Sequence, residues 1–325
     1  MPTLLPRSQL NTTAWDACVT ASAGRIVYGY AWYLDAVLPS PDWTWAGLVL
    51  PGEGDTYQAV VPVPLRRKRV AGVAYHWVVH QPLFCPMLGV FSRDALLDTT
   101  PLVRAVQERF RYGATWHVRP QPGELPGLTV RRTATHVLDL SVGYDALYAR
   151  YTRDRRTNLR RAQTARWLVT DSTDPEPLLT LFRANHADNI RGGVGEWAYD
   201  TFRRVYDALR ERGLATLRYA RRDGCIEAGA LFVHDGDRII YLFNAASAAG
   251  RRGNARTLLL DQVIRQYAGQ PVTFDFESPE KASIMQFYRS FGAVEEPFWR
   301  VNWNRLSRPE RWALRLKHRL LRATE

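Results

Sequence analysis

Residues 272–293, VTFDFESPEKASIMQFYRSFGA, decide the fold of this chain. The first six alternate between apolar and polar side chains, which predicts a strand with Asp275 and Glu277 on the face opposite the phenylalanines. Apolar side chains then recur at helical spacing up to Phe291, and Gly292 predicts the end of a helix. The two carboxylates are therefore expected to meet solvent, a partner or a cleft.

The preceding segment predicts a second strand and helix, joined by a loop that contains glycine. A strand is expected over residues 238–243, followed by the loop NAASAAGRRGNA and a helix over residues 254–268. A helix start offers unpaired N–H groups and a positive dipole end, and small residues let an anion approach them. The residues expected to contact that anion are Asn244, Ala245, Gly250, Arg251, Arg252, Gly253, Asn254 and Ala255.

These features resemble the GNAT superfamily of acyltransferases. Its phosphate loop, Gln/Arg-x-x-Gly-x-Gly/Ala, holds the pyrophosphate of coenzyme A, and Gly253-Asn254-Ala255 matches the second half. Gly250 stands where the first Gln or Arg is expected. The helix ending FYRSFGA is similar to the GNAT helix that closes in Tyr-x-x-x-Gly-Phe. The resemblance implies acyl-CoA as the donor substrate and Tyr288 as the acid that reprotonates the departing thiolate.

A narrower resemblance, to bacterial FemAB-like proteins with two GNAT-like halves, covers nearly the whole chain. It includes the run YDALYARYTRDRRTNLRRA at residues 144–162. It implies an α/β fold with a mixed sheet (α+β) and tandem GNAT-like lobes, the N-terminal one degenerate because it has no phosphate loop. The expected domains are residues 1–134, residues 135–304 with the donor site, and a basic amphipathic helix over residues 305–325.

The N-terminal half is rich in predicted strands. Three are expected, over residues 45–50, 57–63 and 73–79, with a helix over residues 102–112. Pro62 and Pro64 predict the end of the second strand, and residues 66–69 then form a basic loop.

Composition narrows the class of protein. A chain of 325 residues with 46% hydrophobic side chains predicts a folded protein of about two domains. Neither a membrane-spanning apolar run nor a signal peptide is evident, so a cytoplasmic protein is expected. The three cysteines are widely spaced and the histidines are scattered, so no metal site is expected.

The net charge of +12 favours an anionic partner, and residues 135–325 hold 31 of the 44 basic and 23 of the 32 acidic side chains. Residues 150–166 contain seven arginines against the single Asp154, which indicates either a solvated helix face or a binding surface. On the binding interpretation Arg156, Asn158 and Arg160 contact the substrate. The tail over residues 308–325 forms a basic amphipathic helix that packs on protein or lies on an anionic membrane.

The expected chemistry is attack by an acceptor amine on a thioester or ester carbonyl. Glu277 or Asp275 takes the amine proton, unless each forms an ordinary salt bridge. Tyr288 protonates the leaving group, unless it only packs in the core. Backbone N–H groups of residues 244–247 polarise the carbonyl.

Three functions remain open on this evidence. The first is an N-acyltransferase that moves an acyl group from acyl-CoA to a small amine in a cleft between the lobes. The second is a FemAB-type peptidyltransferase that uses aminoacyl-tRNA and acts on a cell-wall precursor. The third is a GNAT-fold binding protein without catalytic activity. No DNA partner is expected.

Overall fold

The computed structural model describes residues 1–38, 41–70, 73–190, 192–278 and 281–311. The strands are β1 (Thr3–Pro6), β2 (Trp43–Pro51), β3 (Tyr57–Val70), β4 (Val73–His80), β5 (Phe91–Ser92), β6 (Tyr112–Val118), β7 (Leu128–Asp139), β8 (Leu168–Ser172), β9 (Ala215–Arg222), β10 (Cys225–Asp235), β11 (Arg238–Ala246), β12 (Thr273–Asp275) and β13 (Val294–Asn304). The helices are α1 (Thr12–Ala21), α2 (Ala31–Val37), α3 (Thr100–Arg109), α4 (Tyr144–Arg150), α5 (Arg153–Thr164), α6 (Glu176–Asn185), α7 (Glu196–Glu211), α8 (Ala248–Arg252), α9 (Ala255–Tyr267) and α10 (Ala282–Arg289). Short 3₁₀ helices lie at Arg7–Gln9, Val27–Gly29 and Ala187–Asn189.

The chain forms two compact units that are discontinuous in sequence. The first unit contains residues 1–31, 40–132 and 299–325, and the second contains residues 32–39 and 133–298. Residues 299–304 of β13 thus belong to the first unit, because they pair antiparallel with β6.

The sheet of the first unit has the strand order β1-β2-β3-β4-β6-β13, with β5 paired to β3. Its pairs are antiparallel except for β4 and β6, which are parallel and joined through α3. This is a mixed sheet of the kind predicted for a mixed α/β protein. The helix α3 ends at Arg109, and Tyr112 already belongs to the next strand.

Strand β3 is longer than predicted and runs through both prolines. Pro62 lies opposite Gly47 and Pro64 opposite Trp45 in the ladder with β2. On the other edge of β3, the ladder with β5 covers residues 59–60 and the ladder with β4 begins at Leu65. A proline lacks the N–H that a ladder needs, but a stretch paired along one edge tolerates it. The expected basic loop at residues 66–69 is therefore strand.

The sheet of the second unit has the order β7-β12-β11-β10-β9-β8, and β11 and β12 form its parallel pair. Its core is built from the inner faces of these strands and from α5, α9 and α10. The helix α9 buries Ala255, Leu259, Val263 and their neighbours, as its helical spacing predicts.

Some helices differ from the sequence-based boundaries. The run at residues 144–162 forms two helices, because Thr152 caps α5 by accepting a hydrogen bond from the Arg155 N–H. The loop after β11 contains the short helix α8, which was not predicted. Of the predicted C-terminal helix, residues 312–325 lie outside the described residues.

A buried ion pair joins β11 to β12. Arg238 Nη1 lies 2.7 Å from Asp275 Oδ2, and the Asp275 side chain is only 1% exposed. The second guanidinium nitrogen lies 2.8 Å from Glu296 Oε1, and Thr135 Oγ1 donates to Asp275 Oδ1 at 2.6 Å. Of the three surroundings expected for the Asp275 carboxylate, which were solvent, a partner or a cleft, the structure shows a buried partner.

We expect Arg238→Met to destabilise the protein strongly, because it leaves the buried Asp275 carboxylate without its cation. Breaking such a pair costs about 3–5 kcal/mol. Arg218→Met is the matched control, since Arg218 pairs at 2.8 Å with Asp171, whose side chain is 66% exposed. Exposed pairs contribute about 1 kcal/mol or less. Urea unfolding of both variants tests this, and equal losses would contradict it.

Candidate functional site

The site begins where β11 and β12 diverge. Their parallel ladder covers three residue pairs and ends at Ile240 and Asp275, although β11 continues to Ala246. The other strand stops because Glu277 adopts a left-handed backbone with φ of 47°, and its N–H donates to Asp275 Oδ1 at 2.9 Å. From Tyr241 onward, one edge of β11 therefore has no partner strand among the described residues.

Three aromatic rings meet at this divergence. Tyr241 and Phe276 are the first residues past the ladder on their respective strands. Tyr288, from α10, stacks on Phe276 with centroids 4.7 Å apart and meets Tyr241 edge-on at 6.3 Å. The ring of Tyr288 thus lies against the first residue after the ladder on both strands, so it marks the root of the opening.

The phenol of Tyr288 holds its proton tightly. Burial raises its pKa above the ordinary tyrosine value, and Tyr241 and the charges of Glu277 and Asp275 add to the rise, while Arg256 opposes it. Glu277 directly follows Phe276, the ring on which Tyr288 stacks, and its side chain is part-buried. A protonated phenol beside a carboxylate is a pairing suited to acid and base chemistry.

The predicted catalytic residues thus occupy different environments. Tyr288 and Glu277 lie at the opening between the strands. The carboxylate of Asp275 is held by Arg238 and Thr135, so it joins β7, β11 and β12.

Two arginines and a histidine contact residues along the unpaired edge of β11. Arg256 Nη1 donates to Asn244 Oδ1 at 3.0 Å, and Arg251 Nη1 donates to the Ala246 carbonyl at 2.8 Å. His186 Nε2 accepts from the Ala246 N–H at 3.2 Å. Burial lowers the pKa of His186, and the charges of Arg256 and Arg251 lower it further. The imidazole is therefore neutral, with its proton on Nδ1.

The glycine loop differs from the expected anion cradle. The Gly250 N–H donates to the Ser247 side chain, the Gly253 N–H to the Ala249 carbonyl and the Asn254 N–H to the Arg251 carbonyl. Ser247 in turn bonds Glu227. These amides are satisfied internally, so they are not the open donors that a helix start would offer.

The protein itself fills the space that the two glycines leave. A Cβ on Gly250 would lie 2.0 Å from the Glu227 carbonyl oxygen, and one on Gly253 would lie 2.3 Å from the Trp167 ring. Trp167 Nε1 also donates to the Gly253 carbonyl at 2.9 Å. Close packing therefore explains both glycines, whereas the first N–H groups of α9, at Ala255, remain at a helix start.

Arg156, Asn158 and Arg160 lie on α5, where Arg160 is exposed and the other two are half-buried. Arg160 Nη2 contacts Thr157 Oγ1 of the same helix at 3.4 Å. The contacts of these three residues do not reach the tyrosines at the opening, as far as the described residues show. They stay predicted substrate contacts.

Arg155, one residue earlier, was missed by the sequence analysis. It is only 6% exposed, donates to Thr257 Oγ1 at 2.6 Å and to Ser290 Oγ at 2.8 Å, and lies over the rings of Phe287 and Phe291. Burial lowers its pKa to about 10. Arg155 lies four residues before Leu159, so both side chains are on the same face of α5. The helical spacing of the buried residues could therefore have predicted that Arg155 is buried.

Comparisons with known proteins concern the fold. Residues 134–280 match the family described as an acetyltransferase (GNAT) domain. The structure is similar to that of FemX, with a TM-score of 0.67 and 14% identity, covering 97% of this chain and 99% of FemX. A tandem GNAT protein from the clavulanic acid biosynthesis pathway is similar at a TM-score of 0.51 and 14% identity, with 93% of this chain and 98% of that one covered. The chain has a two-lobed GNAT fold of the FemAB-like type.

L-PGS from Bacillus licheniformis shares the fold at a TM-score of 0.51 and 13% identity, covering 94% of this chain and 95% of L-PGS. No curated protein matches the chain. At identities this low, the structural similarity establishes the fold alone. It confirms the predicted tandem GNAT-like architecture.

The N-terminal GNAT lobe lacks the corresponding opening. Its parallel strands β4 and β6 pair at Val79 with Gly113 and at His80 with Thr115. Beyond that point the chain continues along β6, since the Gln81 N–H donates to the Thr115 carbonyl and the Leu88 N–H to the His117 carbonyl. The chain that follows the first strand of this parallel pair thus stays bonded to the second strand, so the two do not open as β11 and β12 do.

Among the described residues, no group of three or more His, Cys, Asp or Glu side chains could hold a metal ion. Across the same residues, no helix has both the length and the apolar character needed to cross a bilayer.

We expect Gly250→Ala to destabilise the ligand-free protein, because the added Cβ collides with the Glu227 carbonyl. Overpacking of this kind costs about 1–3 kcal/mol. Gly24→Ala is the control, since a Cβ there meets only the Ser22 hydroxyl at 3.7 Å. Thermal and urea unfolding without any ligand give the comparison. A Gly250→Ala protein as stable as the control would mean that the loop has room for a ligand.

Proposed function

We propose that this chain is an N-acyltransferase whose reaction takes place where β11 and β12 diverge. The observation that carries the proposal is the buried Tyr288 ring stacked on Phe276, the residue before Glu277, at the root of an unpaired strand edge. Acyl transfer to an amine needs a proton acceptor for the amine and a proton donor for the leaving group. Glu277 and Tyr288 supply these two groups.

The reaction proceeds in two stages. Glu277 takes the proton of the acceptor amine while the nitrogen attacks the acyl carbonyl carbon, and the carbonyl electrons move to oxygen. The tetrahedral intermediate then collapses, the bond to the leaving sulfur or oxygen breaks, and the leaving atom takes the Tyr288 proton. The proton on Glu277 restores Tyr288, so the enzyme ends as it began.

The free edge of β11 suits an extended donor. An unpaired strand edge presents alternating N–H and C=O groups to which an extended chain can hydrogen-bond. The pantetheine arm of coenzyme A, with its two amides, is such a chain. On this interpretation Asn244 and Ala245 line the arm, and the acyl group lies at the aromatic rings.

Acyl-CoA is the donor that we propose first. Its pyrophosphate is assigned to the start of α9 at Ala255, with Arg251 and Arg252 exposed beside it. Gly250, Gly253 and Asn254 then support the loop through packing and internal hydrogen bonds, and do not cradle the phosphate directly.

An aminoacyl-tRNA donor is the alternative, and the Tyr288 environment favours it. The pKa of a free thiol is about 8.5, so a phenol whose pKa is raised above its ordinary value of about 10 is a weak acid toward a thiolate. The same phenol is better matched to the alkoxide that leaves from an aminoacyl ester. The satisfied amides of the glycine loop favour the same donor.

The donor can be tested by binding and by transfer. We expect acetyl-CoA or a longer acyl-CoA to raise thermal stability by about 2.7 kcal/mol at a hundredfold excess over its dissociation constant. Arg251→Ala with Arg252→Ala should abolish that shift, whereas Arg210→Ala, on the exposed surface of α7, should retain it.

An aminoacyl-tRNA donor would give a different pattern. No thioester would then raise stability, labelled amino acid would be transferred from the tRNA, and binding would weaken steeply with salt. Arg156→Ala with Arg160→Ala would reduce that salt dependence. Failure of both donor classes would favour the catalytically inactive binding protein.

We expect Tyr288→Phe and Glu277→Gln each to lower kcat by about 10²–10⁴ with the productive donor, because each removes one proton-transfer group. Ring packing is retained in the first variant and side-chain size in the second. Asp171→Asn, remote from the opening, should leave kcat unchanged. Wild-type turnover in both site variants would overturn the assignment of the reaction to this opening.

A further inference from the structure

Tyr241 carries a buried hydroxyl that the fold does not use. The residue is only 2% exposed, and its hydroxyl oxygen has no hydrogen-bond partner among the described residues. A buried polar atom without a partner costs free energy, so native structures rarely keep one without a reason. Phenylalanine would pack here equally well, because the contacts of the ring are with Phe232 at 5.4 Å and Tyr288 at 6.3 Å.

Tyr241 lies at the opening where the reaction is proposed to take place. Tyr241 is the first β11 residue past the ladder with β12, and its ring meets the ring of the proposed acid Tyr288 edge-on. The charge of Arg256 acts on both phenols. Burial raises the pKa of Tyr241, so the hydroxyl is protonated and can donate a hydrogen bond.

Two of the backbone donors predicted for the carbonyl are taken up inside the protein. The sequence predicts that N–H groups of residues 244–247 polarise the carbonyl. The Ala246 N–H is instead bonded to His186, and the Ser247 N–H to the Glu227 carbonyl. Asn244 and Ala245 lie farther along β11, in the ladder with β10 opposite Ala230 and Gly229. A side-chain donor beside the aromatic rings adds to any N–H group that the unpaired edge of β11 offers to the oxyanion.

We infer that the Tyr241 hydroxyl donates a hydrogen bond to the carbonyl oxygen of the transferred acyl group. As the amine attacks, the carbonyl electrons move to that oxygen, and the hydrogen bond strengthens without transferring its proton. The oxygen returns its electrons to carbon when the leaving group departs with the proton of Tyr288. Tyr241 is thus a catalytic residue distinct from the acid and the base, and this inference rests on the proposed function.

The test compares Tyr241→Phe with Tyr219→Phe and Tyr288→Phe, in the full-length protein with the productive donor. Removing one oxyanion donor typically lowers kcat by 10²–10³. We expect that loss in Tyr241→Phe with the donor KM little changed, and an unchanged or higher urea midpoint. Tyr219 is the matched control because its buried hydroxyl donates to the Asp174 carbonyl at 2.7 Å and accepts from the Leu178 N–H. Tyr219→Phe should lower the midpoint and leave kcat unchanged.

The outcomes separate the inference from the function on which it rests. Wild-type kcat in Tyr241→Phe, beside a slow Tyr288→Phe, overturns the role of Tyr241 and leaves the proposed function standing. A urea midpoint that falls in Tyr241→Phe as far as in Tyr219→Phe shows that the hydroxyl has a structural partner, and overturns the inference as well. A wild-type protein that transfers no acyl group from any thioester or aminoacyl ester overturns both.

Discussion

The site depends on the buried ion pair between Arg238 and Asp275. This pair fixes two adjacent strands in parallel register, and the same carboxylate holds Thr135 on β7 and the backbone N–H of Glu277. The Asp275 side chain therefore holds β12 beside β11 and also bonds the backbone at the residue where β12 turns away. Because a buried carboxylate needs its cation, the geometry of the opening is coupled to the stability of the sheet.

Where the two strands diverge, the proposed function assigns a role in the reaction to residues that also pack in the core. Phe276 and Tyr288 are stacked core aromatics, and Arg155 holds the helix of Tyr288 by bonding Ser290 and lying over Phe287. Burial in this cluster keeps the Tyr288 phenol protonated, so packing and acid function are not alternatives at this residue. The strained backbone at Glu277 is also consistent with this view, since such conformations cluster at functional sites.

The two lobes illustrate how one topology gains or loses a binding edge. Both contain a parallel strand pair joined through a helix, but in the N-terminal lobe residues 81–90, which follow the first strand, remain bonded to the second, whereas β11 and β12 diverge. The loop after β11 shows that a partial motif match does not establish a binding site. Its glycines match half of a phosphate-binding pattern, yet a carbonyl and an indole ring occupy the space beside them.

The sequence by itself determined most of the elements of the C-terminal lobe, because alternation and helical spacing are local patterns that burial imposes on one segment at a time. The mixed sheet and the tandem GNAT-like architecture were predictable from the resemblance of its motifs to that superfamily. The sequence also singled out Tyr288 and Glu277 as candidates. Only the tertiary structure separated Glu277 from Asp275, revealed Arg155 and the unused hydroxyl of Tyr241, and showed that the amides of the glycine loop are satisfied. Each of these depends on a contact between residues that are distant in sequence. Such contacts extend over a few ångströms and produce no periodic pattern in the sequence.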